Sequence, residues 1–452
     1  MHRRVIGPVV AACLALAGPI YFTVAAPARA ATDADVDAAV ERGAGWLAER
    51  QLADGSFGVN GGLDPAWALL ALAGAGIHPA DLRPAPGAPS AQEAQLGIWT
   101  VNDPADWWAF STEQATDWER ALLQARAAGV QPTRLSPQRN LLAGLAAWYR
   151  DGWFSSQTSV FNHTIFGLLA LSTLPVPPAL LDRTAAVIAR NQHDDGGYTS
   201  YPATDPVVRA RASDVDSTGA AIAALCAAGR TPAAPEVAGG LAFLRSRRSP
   251  NGAIGNVNST SWALSGLGQC GIRRGTPAWT AADETTVDWL LAAQTTGGPD
   301  AGAWAVGSVA NDYATSDALR ALAAGAFVIE PPARAAAGDP RVRPAPAVAD
   351  GTVVPVALVI DAGSGSPRLC GTRAPVGATV GAVLDAAQIA SEPAGCVTTV
   401  TRADGIVERI DGAAGGGWRA SLDGGAESAA GPQPVGFGQI VSLRLHDPDP
   451  VA

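Results

Sequence analysis

The chain has 452 residues, 48% hydrophobic and 16% charged, with a formal net charge of −10. That apolar content excludes disorder along the whole length, and the length points to more than one domain. All 31 basic residues are Arg, in runs no longer than two, and there are only five His and five Cys; this argues against nucleic-acid binding, excludes a Lys Schiff base and disfavours a Cys- or His-rich metal cluster.

Residues 1–30 read as an export signal. His2-Arg3-Arg4 is a positive n-region and Val5 to Ala26 an apolar run. Ala28-Arg29-Ala30 is an A-x-A site, with cleavage expected before Ala31. A secreted protein follows. The alternatives are an uncleaved anchor, or a lipid anchor on Cys13, because Val10 to Cys13 loosely fits a lipoprotein box. Cleavage removes three of the 31 Arg and none of the 41 acids, moving the net charge to −13. Cys226, Cys270, Cys370 and Cys396 then remain, an even count that suits two bridges in an oxidising compartment. Sequence order favours Cys226–Cys270 and Cys370–Cys396; four buried thiols are the alternative.

Residues 34–330 repeat a helix pair with a Gly-aromatic turn. Six Ala- and Leu-rich segments recur: Asp64–Ile77, Thr116–Val130, Asn162–Val176, Asp214–Arg230, Asn258–Ile272 and Asn311–Phe327. Each opens on Asp, Asn or Thr, types that cap helix starts by accepting from free N–H groups. Most end on a Gly suited to the left-handed position after a helix. Their amphipathic partners are Asp35–Gln51, Ala91–Trp99, Ser136–Arg150, Leu181–Gln192, Glu236–Arg247 and Glu284–Gln294. Ser136 reads as the cap of the third partner, with Pro137 at its first position. Six pairs without polar capping repeats favour a closed double ring, an all-α (α/α)6 toroid.

Residues 331–351 form a Pro-rich linker. Residues 352–446 read as a small, mainly β, α+β domain. Its expected strands are Val353–Ile360, Val397–Arg402, Val407–Asp411 and Ile440–His446, with a helix over Ala378–Ile389 and a strand after the Gly-rich run before Trp418.

The junctions carry a resemblance. Gln51 with Gly55 and Phe57, Gln192 with Gly196 and Tyr198, and Gln294 with Gly302 and Trp304 resemble the Q-W motif of the terpene cyclase and protein prenyltransferase toroids. A fourth copy has Arg248 in place of Gln, ahead of Gly252 and Ile254. A Gln there satisfies free backbone groups, so these residues read as structural. Val376–Gln388 and Ile410–Gly425 resemble the C-terminal domain of the transcobalamin and intrinsic factor family. Asn251–Leu267 is similar to a toroid stretch of that family, with Asn258 where Tyr is usual. The resemblance implies a ligand clamped between toroid and small domain, with a corrinoid (cobalamin) as the ligand.

Asp214-Val-Asp216-Ser217-Thr218 resembles the D-x-D-D-T acid motif of class II terpene cyclases, with Ser217 at the fourth position. It also resembles the ligand-binding V-D-T-A-A stretch of the transcobalamin toroid. Helix capping, ligand binding and acid catalysis by Asp216 stay open. No zinc set, nucleophile elbow or P-loop is present.

The expectation is therefore a secreted, monomeric, non-enzymatic protein that binds a small molecule, without nucleic acid, metal or membrane span. Asp64, Asn162, His163, His193, Asp214, Asp216, Asn258 and Asp312 are the polar candidates. Trp67, Trp262 and Tyr313 supply apolar surface, and the region of Trp418 covers the ligand. The competing readings are a prenyl or terpene cyclase with Asp216 as general acid, and a cell-surface interaction protein whose toroid is filled.

Overall fold

The computed structural model describes residues 30–57, 64–99, 115–154, 160–203, 206–415 and 417–446, with backbone alone at 64–66. The expected signal segment therefore lies, up to residue 29, outside the described residues. The two parts are a helical toroid and a β-rich domain.

Among the described residues, the inside of the toroid is lined by α2 (Asp64–Gly74), α4 (Ala115–Ala127), α6 (Asn162–Ser172), α9 (Val215–Ala227), α11 (Val257–Gln269) and α13 (Asp312–Ala323). Each packs on the next, and α13 packs on α2. Their sequences show why they sit inside. Thr164 to Leu171 of α6 are eight consecutive buried residues, a helix with no solvent face. Outside lie α1 (Asp33–Ala48), α3 (Ala91–Trp99), α5 (Leu141–Leu145), α7 (Pro178–Arg190), α10 (Pro235–Ser246) and α12 (Ala281–Ala292), with a single-turn α8 (Pro206–Arg209) before α9. The longer ones bury one stripe; α7 buries Leu180, Thr184, Ala185, Val187 and Ile188. The short α5, covered by the small domain, is buried throughout. A two-residue ribbon, β1 (Ala305–Val306) with β2 (Val309–Ala310), precedes α13.

One outer element differs from its sequence reading. The third partner begins at Leu141 with Asn140 as its cap, while Ser136 pairs with Arg139 in a turn. Pro137 therefore precedes the helix. The caps shift as well. Asp214 caps α9, but Asn256 caps α11, so Asn258 sits inside the first turn.

The turn residues do the work expected of them. Gln51 Nε2 donates to Gly55 O and Leu82 O; Gln192 Nε2 to Gly196 O and Glu236 O; Gln294 Nε2 to Gly302 O and Ala39 O. Each Gln thus ties its own turn to the next outer segment, and Gln294 ties the last to the first. In the fourth copy Arg248 reaches Asp283 on α12 instead. Gly302 adopts a φ of +101°, and a Cβ there would lie 2.4 Å from Arg42 O. Only Gly allows the turn to approach α1 so closely.

The small domain holds a five-stranded sheet in the order β4-β3-β9-β7-β8. The strands are β3 (Val353–Asp361), β4 (Arg368–Pro375), β7 (Trp418–Leu422), β8 (Ser428–Ala429) and β9 (Ile440–Leu445). α14 (Val380–Ile389) covers one face, and β5 (Val400–Ala403) pairs with β6 (Ile406–Ile410) beside it. Strand β4 has no counterpart in the sequence reading. β3 alternates between two cores. Val354, Val356, Leu358 and Ile360 pack with α14, whereas Ala357 and Val359 join the toroid core. This explains an unbroken apolar strand. The second face lies on α5, with Asn140 Nδ2 donating to Pro355 O at 3.4 Å and Tyr149 Oη to Pro367 O at 3.0 Å.

Disulfides join Cys226 to Cys270 and Cys370 to Cys396. Among the described residues, no helix is long and apolar enough to cross a membrane.

Candidate functional site

The inner helices start at one end of the toroid, and side chains from the beginnings of α4, α6, α9, α11 and α13 lie close together there. Ser217 Oγ lies 3.5 Å from Asn162 Oδ1. Ser259 hydrogen-bonds Asp216. Asn258 Nδ2 donates to Asp317 Oδ2 at 2.9 Å. Arg50 Nε pairs with Asp312 at 3.2 Å. His163 faces Asp117 and Arg120 of α4. The structure thus gathers Asn162, His163, Asp216, Asn258 and Asp312 at this mouth, with half-buried Tyr313 beside them. Asp64 starts α2 at the same end, but its side chain lies outside the described residues.

Burial sets the electrostatics. It pushes the Asp216 carboxyl above the usual range; the Ser259 bond opposes this, and the charges of Asp214 and Asp317 add to it. Burial, with the charge of Arg120, pushes the His163 ring down, so it is neutral at pH 7. Asp312 is also raised by burial, against Arg50. Asp117 pairs with Arg120 Nη2 at 2.6 Å. Yet Asp117 Oδ2 and Asp216 Oδ1 are buried without a hydrogen-bond partner. Glu119 is wholly buried, and both of its oxygens lack a partner. Burial drives its pKa well up.

Below the mouth the axis is closed. Trp67, Phe166 and Trp262 come from α2, α6 and α11, helices that are not neighbours in the ring. Their ring centroids lie 5.8 to 5.9 Å apart, so they meet at its centre. Phe327, beyond the end of α13, reaches all three at 5.2 to 6.5 Å. Arg320 stands in the same cluster with its Cζ 4.0 Å from the Phe327 centroid. Its partner Asp317, 3.1 Å away, also accepts from Trp262 Nε1 at 2.8 Å. Both members of the ion pair are fully buried.

Other expected site residues fall elsewhere. Asp214 is exposed and caps α9, accepting from Ser217 N at 2.6 Å. His193 is buried in the turn after α7, its Nδ1 3.0 Å from Arg211 O. Trp418 does not cover the mouth. It is 1% exposed in the small-domain core, and its Nε1 donates to Ala413 O. The small domain instead lies along α5, on the flank of the toroid. The groove between the two parts measures about 250 Å³ and is lined by Gly129, Arg134, Pro175, Val342, Asp423 and Ile440.

Sequence reasoning passed over Asp117, Glu119, Asp317, Arg320, Phe166 and Phe327. A signal was present: Asp117, Glu119, Asp317 and Arg320 are charges inside segments read as packed apolar helices. It also passed over a repeated Thr. Thr164, Thr218, Thr260 and Thr315 accept from the backbone N of Phe154, Tyr198, Ile254 and Trp304 at 2.9 to 3.2 Å. The Thr218 of the acid-like motif is thus one of four equivalent structural residues.

No family model matches the chain, and no curated protein does. Solved structures similar to it include the apo type II terpene cyclase MstE from Scytonema, 16% identical over 65% of this chain and 98% of that one, with a TM-score of 0.45. A protein from Actinoplanes is 17% identical over 64% of this chain and 99% of that one, with a TM-score of 0.45. Haptocorrin in complex with Cbi is 13% identical over 91% of this chain and 97% of that one, with a TM-score of 0.38. The neighbours therefore include terpene cyclases and haptocorrin.

Proposed function

We propose that the chain is an exported, monomeric binding protein, built on an (α/α)6 ring, that holds a small polar ligand at the mouth formed by its inner helix starts and does not transform it. The observation that carries this is the pair of buried acid oxygens without partners near the helix starts, on Asp117 and Asp216. An unpaired buried polar atom costs about 1–3 kcal/mol. A ligand bearing N–H or O–H donors removes that cost on binding. The aromatic cluster then serves as a floor. It begins at the fourth to sixth residues of the inner helices, about 5–8 Å below the helix starts at 1.5 Å per residue.

A corrinoid is the first ligand to test, because its rim of amides supplies donors to carboxyl acceptors. It would rest on the mouth, since the groove of about 250 Å³ between the two parts is too small to enclose it. The test mixes the purified chain with cyanocobalamin and with cobinamide, removes free ligand and records the visible spectrum. One corrinoid retained per chain is expected, with affinity reduced at least about tenfold in Asp216→Ala, the equivalent of one lost hydrogen bond. No retention at micromolar protein overturns the corrinoid.

One observation favours the cyclase reading: burial raises the Asp216 carboxyl toward its protonated, acid form. Against it stands Arg320, whose guanidinium already occupies the face of Phe327. A carbocation there meets a resident cation on the rings that would have to stabilise it. Product from squalene or a polyprenyl diphosphate, abolished by Asp216→Asn, would establish the enzyme instead.

A further inference from the structure

The residue after the Ala28-Arg29-Ala30 site is held at both polar atoms of its backbone. Ala31 N donates to Asp288 Oδ1 at 2.7 Å, and Arg274 Nη2 donates to Ala31 O at 2.5 Å. Neither partner is a loose surface group. Asp288 is buried on α12. Arg274 also bonds Asp33 Oδ1 at 2.7 Å and Glu284 Oε1 at 2.5 Å, and Trp279 Nε1 fixes Glu284 at 3.0 Å. The next residue, Thr32, closes a capping box with Asp35 at the start of α1.

The charges around this backbone do not balance. Asp33, Glu284 and Asp288 are three carboxylates, and Arg274 is the one guanidinium bonded among them. A backbone amide gives Asp288 a single neutral donor. An α-ammonium at the same position gives it a positive charge and up to three donors, and charge-assisted hydrogen bonds are about twice as strong as neutral ones.

We propose that Ala31 is the first residue of the working protein and that Asp288 is the receptor for its α-ammonium. An external peptidase of the signal-removing class adds water across the Ala30–Ala31 bond. Ala30 leaves as a carboxylate, and the Ala31 amine takes up a proton. The new cation pairs with Asp288 where the amide stood. The cluster formed by α1, α12 and Arg274 then binds the product of the cut more tightly than the uncut chain, so removal of the leader completes the contact between α1 and α12.

The absence of Lys makes the test simple, because the α-amino group is then the only primary amine in the chain. The full chain is expressed in a bacterial host that exports it, and the secreted product is sequenced from its N-terminus. The expected start is Ala31-Thr32-Asp33. An amine-reactive reagent is then applied at pH 8 to the folded protein and to the protein in urea. Folded wild type should react about fivefold more slowly, as expected at about pH 8 for an α-amine of ordinary pKa near 8 raised by about one unit. Asp288→Asn should abolish most of that protection. A different first residue, or equal rates in folded and urea-unfolded wild type, overturns the proposal. The wild-type comparison decides it even where Asp288→Asn fails to fold.

Discussion

On the ring axis, Asp317 has both carboxyl oxygens bonded, to Asn258 and Trp262 through one and to Arg320 through the other. Nearer the helix starts, Asp216 and Asp117 each keep a buried oxygen without a partner. Both regions are built from the same helices and the same kinds of residue. On the axis the chain supplies partners for its own buried carboxylate, as a folded core must. At the mouth it withholds them, at a cost in stability that a ligand can recover. The contrast separates a closed structural centre from a poised surface.

The largest effect is expected on the axis. Arg320→Met leaves Asp317 charged and buried, and should cost about 3–5 kcal/mol. Adding Asp317→Asn should return most of it, because the amide oxygen still accepts from Trp262. Urea denaturation of the two variants measures this. A single variant as stable as wild type would mean that water reaches the axis, and the centre would then be no more closed than the mouth.

Gln294 comes next. Its side chain ties Ala39 O and Gly302 O and accepts from Arg42 Nη2 at 2.7 Å. Gln294→Ala should cost about 2 kcal/mol, since buried groups then lose their partners. It should leave ligand affinity unchanged, because the turn lies outside the ring. Thr218→Val is a smaller version of the same experiment. It removes the acceptor for Tyr198 N and should cost about 1–2 kcal/mol, whereas Thr218→Ser should be close to silent. A fall in ligand affinity with Thr218→Ser would draw this residue into the mouth after all.

These residues also mark what was legible in the sequence. Gln51, Gln192 and Gln294 repeat with a fixed offset to Gly and an aromatic, and a repeated geometric problem produces a repeated residue. The helix pairs, the domain order and both disulfides could be read for the same reason: each follows from local pattern or from order along the chain. The mouth could be read only in part. Asn162, His163, Asp216, Asn258 and Asp312 stand at or near helix starts and could be named. The buried acids Asp117 and Glu119 of α4, and which side chains meet, could not. Its residues differ from unit to unit, Asn162 and His163 in one and Asp216 in the next, and they converge only after the ring closes. Phe327 is harder still. It lies beyond the end of α13, and nothing local says that it turns onto the axis. Trp418 misled for the opposite reason. A conspicuous aromatic after a Gly-rich run looks like a ligand contact, yet its ring fills the small domain's own core.

The smallest effect concerns Asp216, and its sign is the sharpest test of the contrast. Burial raises its folded-state pKa above the value of 3.8 expected for an exposed Asp. Between that value and the raised one, the folded chain holds a proton that the unfolded chain has released. Stability therefore falls as pH rises through this window, and the cost persists at all higher pH. Asp216→Asn removes the charge and with it the cost. The variant should melt at a higher temperature than wild type at pH 7. The difference should close as the pH falls well below 3.8, at about pH 2.5, where both states carry the proton. Asp317→Asn should behave differently at pH 7, because there the carboxylate stabilises Arg320 and its loss exposes a buried cation. If Asp216→Asn instead lowers the melting temperature at pH 7, the carboxylate has a partner in the free protein besides Ser259, at Oδ1. The Asp216 carboxylate would then be as satisfied as that of Asp317, and the unpaired oxygen that carries the ligand-binding reading would be gone.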